Sequence, residues 1–236
     1  RRRQDEGASG TTAAKEVAAL LFALRLAQEH DLYRGNVRAL KPAGVSSAST
    51  PRKAWRTLDE VRALRDAFTS PTRGAVVVFA VATGAEASAI RRAERADVVL
   101  YPRPRHGVFG HVRVQGSKNA RRARTVPVVL PWAREFLRFV LKHADGADGR
   151  LFRRWRSINR DFDAASKRAK VPRTTPHDLR RTYAHLHYQA GVTLDVLAPA
   201  MGHKDTKMLS RIYADPSADE LAAKMARQVT GRRRSV

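Results

Sequence analysis

Not one of the 236 residues is cysteine. That absence removes disulfides, thiolate nucleophiles and cysteine-ligated zinc together, and leaves the redox compartment open. Any nucleophile must therefore be an oxygen or a nitrogen. Acid is scarce as well: 22 Asp and Glu stand against 46 Lys and Arg, a formal net charge of +24. Such an excess goes beyond what solubility needs and has the sign that attracts a polyanion. Nucleic acid is the leading partner, and an anionic membrane surface a weaker one. Long apolar runs are missing too. The longest covers residues 75–82, less than half of the roughly 20 residues that a membrane-crossing helix needs. No signal-type stretch opens the chain, so a cytoplasmic protein is the default expectation, nucleoid-associated if the source is bacterial. Position 1 is Arg and a helical pattern starts almost at once, the expectation for a piece of something longer.

What is present is helical periodicity around a short block of strands. Thr11 or Thr12 suits the N-cap of a first helix, with Val17, Leu20, Leu21, Leu24 and Ala27 as its buried stripe. Residues 41–50, KPAGVSSAST, offer Pro, Gly and Ser and almost nothing to bury, the composition of a linker. The division is then residues 1–45, a linker over 46–54, and a larger domain over 55–236. In that domain Thr57 and Glu60 form a capping-box pattern ahead of Val61, Leu64 and Phe68. Residues 75–83 are apolar all round, which predicts a central core helix. Residues 97–101, 108–114 and 124–129 read as three short strands, with turns at PRPRHG and QGSKNARR. Past Pro131 the period turns helical again, through Trp132, Phe136 and Val140, then Trp155, Ile158, Phe162, Ala165 and Ala169. The predicted class is α+β, mostly helical, with one small three-stranded antiparallel sheet.

Residues 176–187, PHDLRRTYAHLH, hold three of the eight histidines. Thr175 suits an N-cap, Pro176 the first helical position, and Asp178 the place where a carboxylate takes up free amides. Leu179, Tyr183, Leu186 and Ala190 supply the buried spacing, with His177 and Arg180 on another face, one turn apart. A guanidinium fork beside the free N–H groups of a helix start makes a phosphate cradle. A His and an Arg three apart on a basic helix are also what an ordinary surface face offers. His185 and His187 read as structural. No carboxylate or second histidine cluster completes a coordination set around these imidazoles, so no metal is expected. About twenty residues on, Gly202 suits a helix stop, Asp205 a new cap, and Met208, Leu209 and Ile212 a buried face ending at Tyr213.

HxxR at 177–180, MGH at 201–203 and a tyrosine ten residues later resemble the catalytic core of the tyrosine recombinases, the phage-integrase family. Gly116-Ser117-Lys118-Asn119 ahead of a basic strand is similar to that family's β-hairpin with its catalytic lysine, here Lys118. Arg56-Thr57-Leu58 resembles the usual start of the catalytic domain, and residues 1–45 the C-terminal part of the core-binding domain before it. The resemblance implies that Tyr213 attacks a DNA phosphodiester to give a 3′-phosphotyrosyl link. Arg180, His177 and His203 would hydrogen-bond the transition state's oxygens and Lys118 would protonate the leaving 5′ oxygen, with no cofactor. It also implies a homo-tetramer on double-stranded DNA, docked through a last helix over 218–229. Arg52, Lys53, Arg121, Arg122, Arg153 and Arg154 are candidates for gripping the DNA backbone.

One position departs from the pattern. The family's first arginine follows a Thr-Gly-apolar turn, as in TGLRxSE, and here residues 83–89 read TGAEASA. Glu86 stands where the arginine belongs, and Ala89 where an acidic residue usually follows. A carboxylate about 4 Å from the scissile phosphate repels it by roughly 4 kcal/mol at an effective dielectric near 20. Arg91 or Arg92 reaching the phosphate instead, a relative that binds DNA but cuts poorly, and a shifted alignment all fit that substitution. A type IB topoisomerase, with the same Tyr, Arg, His and Lys chemistry, is a further alternative.

Overall fold

The computed structural model describes residues 5–40, 54–116 and 123–213, together with 222, 225 and 226. It divides into two compact units, Arg1–Arg52 and Lys53–Val236. In the first, helix α1 (Gly10–Glu29) is followed by a single 3₁₀ turn, Val37–Leu40. Its N-cap is Ser9, whose hydroxyl accepts the Thr12 amide at 3.2 Å. The helix thus starts ahead of both expected caps, because Ser9 already supplies the acceptor that Thr11 or Thr12 would have supplied. Val17, Leu21, Leu24 and Ala27 are half-buried, whereas Leu20 is exposed, as are Phe22 and Leu26.

The second unit is built around one helix. Helix α2 (Leu58–Asp66) opens on a complete Thr57–Glu60 capping box, with Val61 and Leu64 buried. Helix α3 (Pro71–Thr83) is buried from Gly74 to Thr83 and packs against α2 and two later helices. It begins at Pro71, earlier than residue 75, since Ser70 and Pro71 provide the N-cap and first position even though the first turn is polar. Short α4 (Ala87–Ile90) and a 3₁₀ turn (Arg95–Asp97) lead into the sheet.

Strands β1 (Val98–Arg105), β2 (Val108–Val114) and β3 (Arg124–Val128) form an antiparallel sheet in chain order. Val112, Val114, Val126 and Val128 alternate inward, as a one-sided sheet requires. β1 runs four residues past its expected end, through the PRPR predicted as turn. The turn itself is His106-Gly107, both at positive φ, the geometry that closes a two-residue hairpin. Asp97 belongs to the 3₁₀ turn, not the strand, and β3 stops at Val128, one residue short of the expected end.

Helices α5 (Pro131–His143), α6 (Ile158–Arg168), α7 (Pro176–Gln189), α8 (Leu194–Ala200) and α9 (Lys207–Tyr213) complete the unit. Trp155 precedes α6 instead of starting it, and packs on Phe68 and Phe162. The architecture is α+β, mostly helical, with a three-stranded antiparallel sheet. Among the described residues no helix is long and apolar enough to cross a membrane.

Candidate active site

Three backbone devices aim the side chains. The first is the start of α7. Thr175 accepts the Asp178 amide, and the Asp178 carboxylate accepts the Thr175 N–H at 3.0 Å, so both orphan groups of the helix start are satisfied locally. Buried Arg56 ties the preceding loop down. Its Nε donates to Thr174 Oγ1 at 2.7 Å and its Nη2 to the carbonyls of Pro172 and Arg173, while its backbone N–H donates to Thr182 Oγ1. Trp55 stacks on His185 with ring centroids 4.2 Å apart.

The second device is the turn after α3. Gly84 takes a left-handed conformation with φ +60, and a Cβ there would meet Tyr183 Cδ1 at 2.7 Å. Only glycine fits, so the chain turns sharply and leaves the Gly84 carbonyl facing the start of α7. The third is the stop of α8. Gly202, also left-handed, donates to the Pro199 carbonyl at 2.8 Å and His203 N–H to that of Ala198 at 2.9 Å. This Schellman arrangement fixes His203 and leaves the carbonyls of Ala200 and Met201 for other donors.

The three devices meet at Arg180. Its side chain is 5% exposed, so Arg180 belongs to the buried side of α7 and not to the separate face expected from spacing. Nη1 donates to the Gly84 carbonyl at 2.5 Å and to Glu86 Oε2 at 3.0 Å. Nη2 donates to the Met201 carbonyl and lies 3.3 Å from His203 Nε2. Arg124, from β3, reaches the same place. Its Nε donates to the Ala200 carbonyl at 2.6 Å, its Nη2 to that of Gly84 at 3.2 Å, and its Nη1 lies 3.6 Å from Glu86 Oε2. Glu86, the N-cap of α4, thus has its carboxylate between two guanidinium groups, and its side chain is 22% exposed. Arg91 is exposed at the end of α4, and Arg92 donates to the Gln115 carbonyl; neither is among the groups bonded to Arg180.

His177 stands on the exposed side of α7, one turn before Arg180. Partial burial, and then the positive charge of Arg181 and Arg180, hold its imidazole below the ordinary range. Neutral imidazole carries one donor and one acceptor nitrogen, so it can give a hydrogen bond to a phosphate oxygen. Tyr213 ends α9. Its side chain, with Lys118, Arg121, Arg122, Arg52 and Lys53, lies outside the described residues. The expected last helix is described only at 222, 225 and 226, which are helical. Leu209 is buried and Ile212 half-buried, but Met208 is 57% exposed, because α9 has only seven residues and covers a narrow stripe.

Arg153 and Arg154 lie elsewhere. With Arg73, Arg156 and Arg160 they line a cavity of about 640 Å³ beside Ser70 and Ser157, the residues preceding α3 and α6. Gly84 and Glu86 follow the other end of α3, whose 13 residues span about 20 Å. Among the described residues no cluster of three or more His, Asp or Glu is placed to hold a metal ion.

His185 and His187 are buried in α7, and His187 Nδ1 lies 2.8 Å from the Tyr183 carbonyl. Burial pushes the His187 imidazole down, only partly opposed by that hydrogen bond. The folded state then binds a proton less readily than the unfolded chain. The stability this contributes is complete above the ordinary value of about 6.5 and is lost as pH falls below it. His177, also lowered, acts in the same sense. The urea midpoint is expected to fall between about pH 7.5 and about pH 5.5, and His187→Gln to flatten that fall. Equal slopes in the two chains would remove His187 from the account.

The fold has solved counterparts. The crystal structure of XerA recombinase superposes with a TM-score of 0.57 at 20% identity, covering 95% of this chain and 78% of that one. The Tn1549 transposon integrase in complex with circular intermediate DNA gives 0.66 at 19% identity, covering 96% and 83%. XerH site-specific recombinase bound to palindromic difH substrate gives 0.67 at 16% identity, covering 92% and 68%. Comparison with curated protein sequences finds no match. The model of the phage integrase family matches residues 57–220, most of the second unit and well over half of the sequence. On that match, this chain belongs to the phage integrase family.

Proposed function

We propose that this chain is a site-specific DNA recombinase that cuts and rejoins double-stranded DNA through a 3′-phosphotyrosine at Tyr213. The observation that carries the reading is the convergence of Arg180 and His203, 3.3 Å apart, with His177 one turn before Arg180 on α7 and Tyr213 ending α9. In the proposed step the Tyr213 oxygen bonds to phosphorus, the P–O5′ bond breaks, and the leaving oxygen takes a proton from Lys118. The phenolic proton passes to a neutral acceptor, for which His177 is available. Arg180, His177 and His203 donate hydrogen bonds to the non-bridging oxygens, where fixed donors contribute most. The covalent link conserves the bond energy, so rejoining to another strand needs neither ATP nor metal. The neighbours solved with DNA, the Tn1549 integrase and XerH, support duplex DNA as the partner.

Residues 1–45 are read as the end of a core-binding domain, 46–54 as a linker and 55–236 as the catalytic domain, working as a tetramer docked through 218–229. The other proposed DNA-backbone contacts are Arg52, Lys53, Arg121, Arg122, Arg153 and Arg154. A second reading, a DNA-binding relative that cuts poorly, is favoured by one observation: Glu86 bonds the arginine that would hold the phosphate. The two separate on duplexes affinity-selected from a random library and nicked to trap product. The recombinase forms a protein–DNA adduct that survives denaturant. Tight binding with no adduct leaves the second reading standing.

A further inference from the structure

We infer that Arg124 supplies a second phosphate-contacting guanidinium, in the role vacated at position 86, and that Glu86 is the positioning residue holding it beside Arg180. The inference rests on the recombinase reading and assigns one more residue to its site. Arg124 enters from a different element, the first residue of β3 paired with Val114, so it substitutes in space and not in sequence. Its side chain is 7% exposed and Arg180's is 5%. Both donate to one carbonyl, Gly84, and both face one carboxylate oxygen, Glu86 Oε2. Guanidinium forks that meet a carboxylate oxygen suit a phosphate oxygen by the same geometry, so two of them aimed at one anionic oxygen can also meet a non-bridging phosphate oxygen.

The carboxylate is also the more open of the three groups, so the side of the cluster that solvent and substrate reach is the side on Glu86. Two guanidinium charges and one carboxylate leave the cluster net positive, so the two cations offset the repulsion that the carboxylate alone would exert on a phosphodiester. The wall behind it is the end of α8. The Ala200 carbonyl accepts from Arg124 and the Met201 carbonyl from Arg180, where the helix dipole favours cations and last-turn carbonyls lack partners. In the sequence Arg124 follows Lys118 by six positions.

The test uses the full chain, the selected duplex and a twin in which the scissile phosphate is a methylphosphonate, which has no negative non-bridging oxygen. Arg124→Gln keeps a donor for the carbonyls and removes the charge. It is expected to slow adduct formation at least 100-fold on the phosphate duplex, with affinity changed less than fivefold, and to lose at least tenfold of that deficit on the neutral twin. Arg124→Lys keeps the charge without the fork. It is the variant to use if the glutamine chain does not fold, and its smaller deficit, about tenfold, is also expected to shrink on the neutral twin. A deficit of the same size on both duplexes means that Arg124 only props up the fold, and overturns the inference. Wild-type protein forming no adduct on either duplex overturns the recombinase reading and this inference together.

Discussion

Tyr213→Phe is expected to leave no covalent adduct at all, with affinity for the selected duplex within about twofold of wild type. With no cysteine, and with a 3′-phosphotyrosine as the proposed product, the nucleophile is one of five tyrosines. Tyr33 lies in the other compact unit. Tyr101 is in β1, held against His111 with its oxygen 3.2 Å from Nδ1. Tyr188 is half-buried near the far end of α7 from His177. The serious rival is Tyr183, which packs under Gly84 and senses the charge of Arg124 and Arg180. Tyr183 is 2% exposed, and burial pushes its phenol up to about 12 despite those two cations. A phenol so covered neither ionises at neutral pH nor reaches a duplex. Tyr183→Phe is therefore expected to keep adduct formation, at some cost in stability. Phenylalanine removes one oxygen from residue 213 and leaves the apolar ring, so binding should persist. An adduct that survived Tyr213→Phe and vanished with Tyr183→Phe would invert the assignment.

The sequence spoke clearly where a local signal carries the geometry. The Thr175–Asp178 box, Pro176 and the helix stop at Gly202 each act through neighbours a few residues away, and each is where the local sequence put it. The central helix was equally legible, because a segment apolar on every side has nowhere else to go. What stayed hidden depends on distance along the chain. Nothing around Arg124 marks it as different from its neighbours Arg121 and Arg122. Its partners Gly84 and Ala200 lie 40 and 76 positions away, and only the fold brings them to it. Arg56 is a similar case: the Arg56-Thr57-Leu58 motif marks a domain start, but nothing local shows that the arginine is buried and ties down carbonyls more than 100 residues later. The PRPRHG turn was misjudged for another reason: proline reads as a breaker, yet Pro102 and Pro104 are tolerated in β1, a strand at the edge of the sheet.

Arg180→Ala is expected to reduce adduct formation by about 10³-fold, the upper end for removing one donor from developing phosphate charge, and to weaken the fold as well. Arg180 is buried and holds the Gly84 carbonyl, the Met201 carbonyl and the Glu86 carboxylate at once. Deleting it takes a donor from the Met201 carbonyl and removes the nearer cation from Glu86. Breaking a buried pair from one side costs about 3–5 kcal/mol. The low end, about 3 kcal/mol, applies because Arg124 still lies 3.6 Å from the carboxylate and Glu86 is partly exposed to solvent. That division can be measured. Glu86→Gln made in the Arg180→Ala chain should recover about 1 kcal/mol, since it removes the charge left with one cation in place of two, whereas in wild-type protein the same change should cost stability. Urea denaturation of the four chains gives the coupling. If Glu86→Gln has the same effect in both backgrounds, the carboxylate and Arg180 are neighbours without interaction, and the cluster's charge is not shared as the geometry requires.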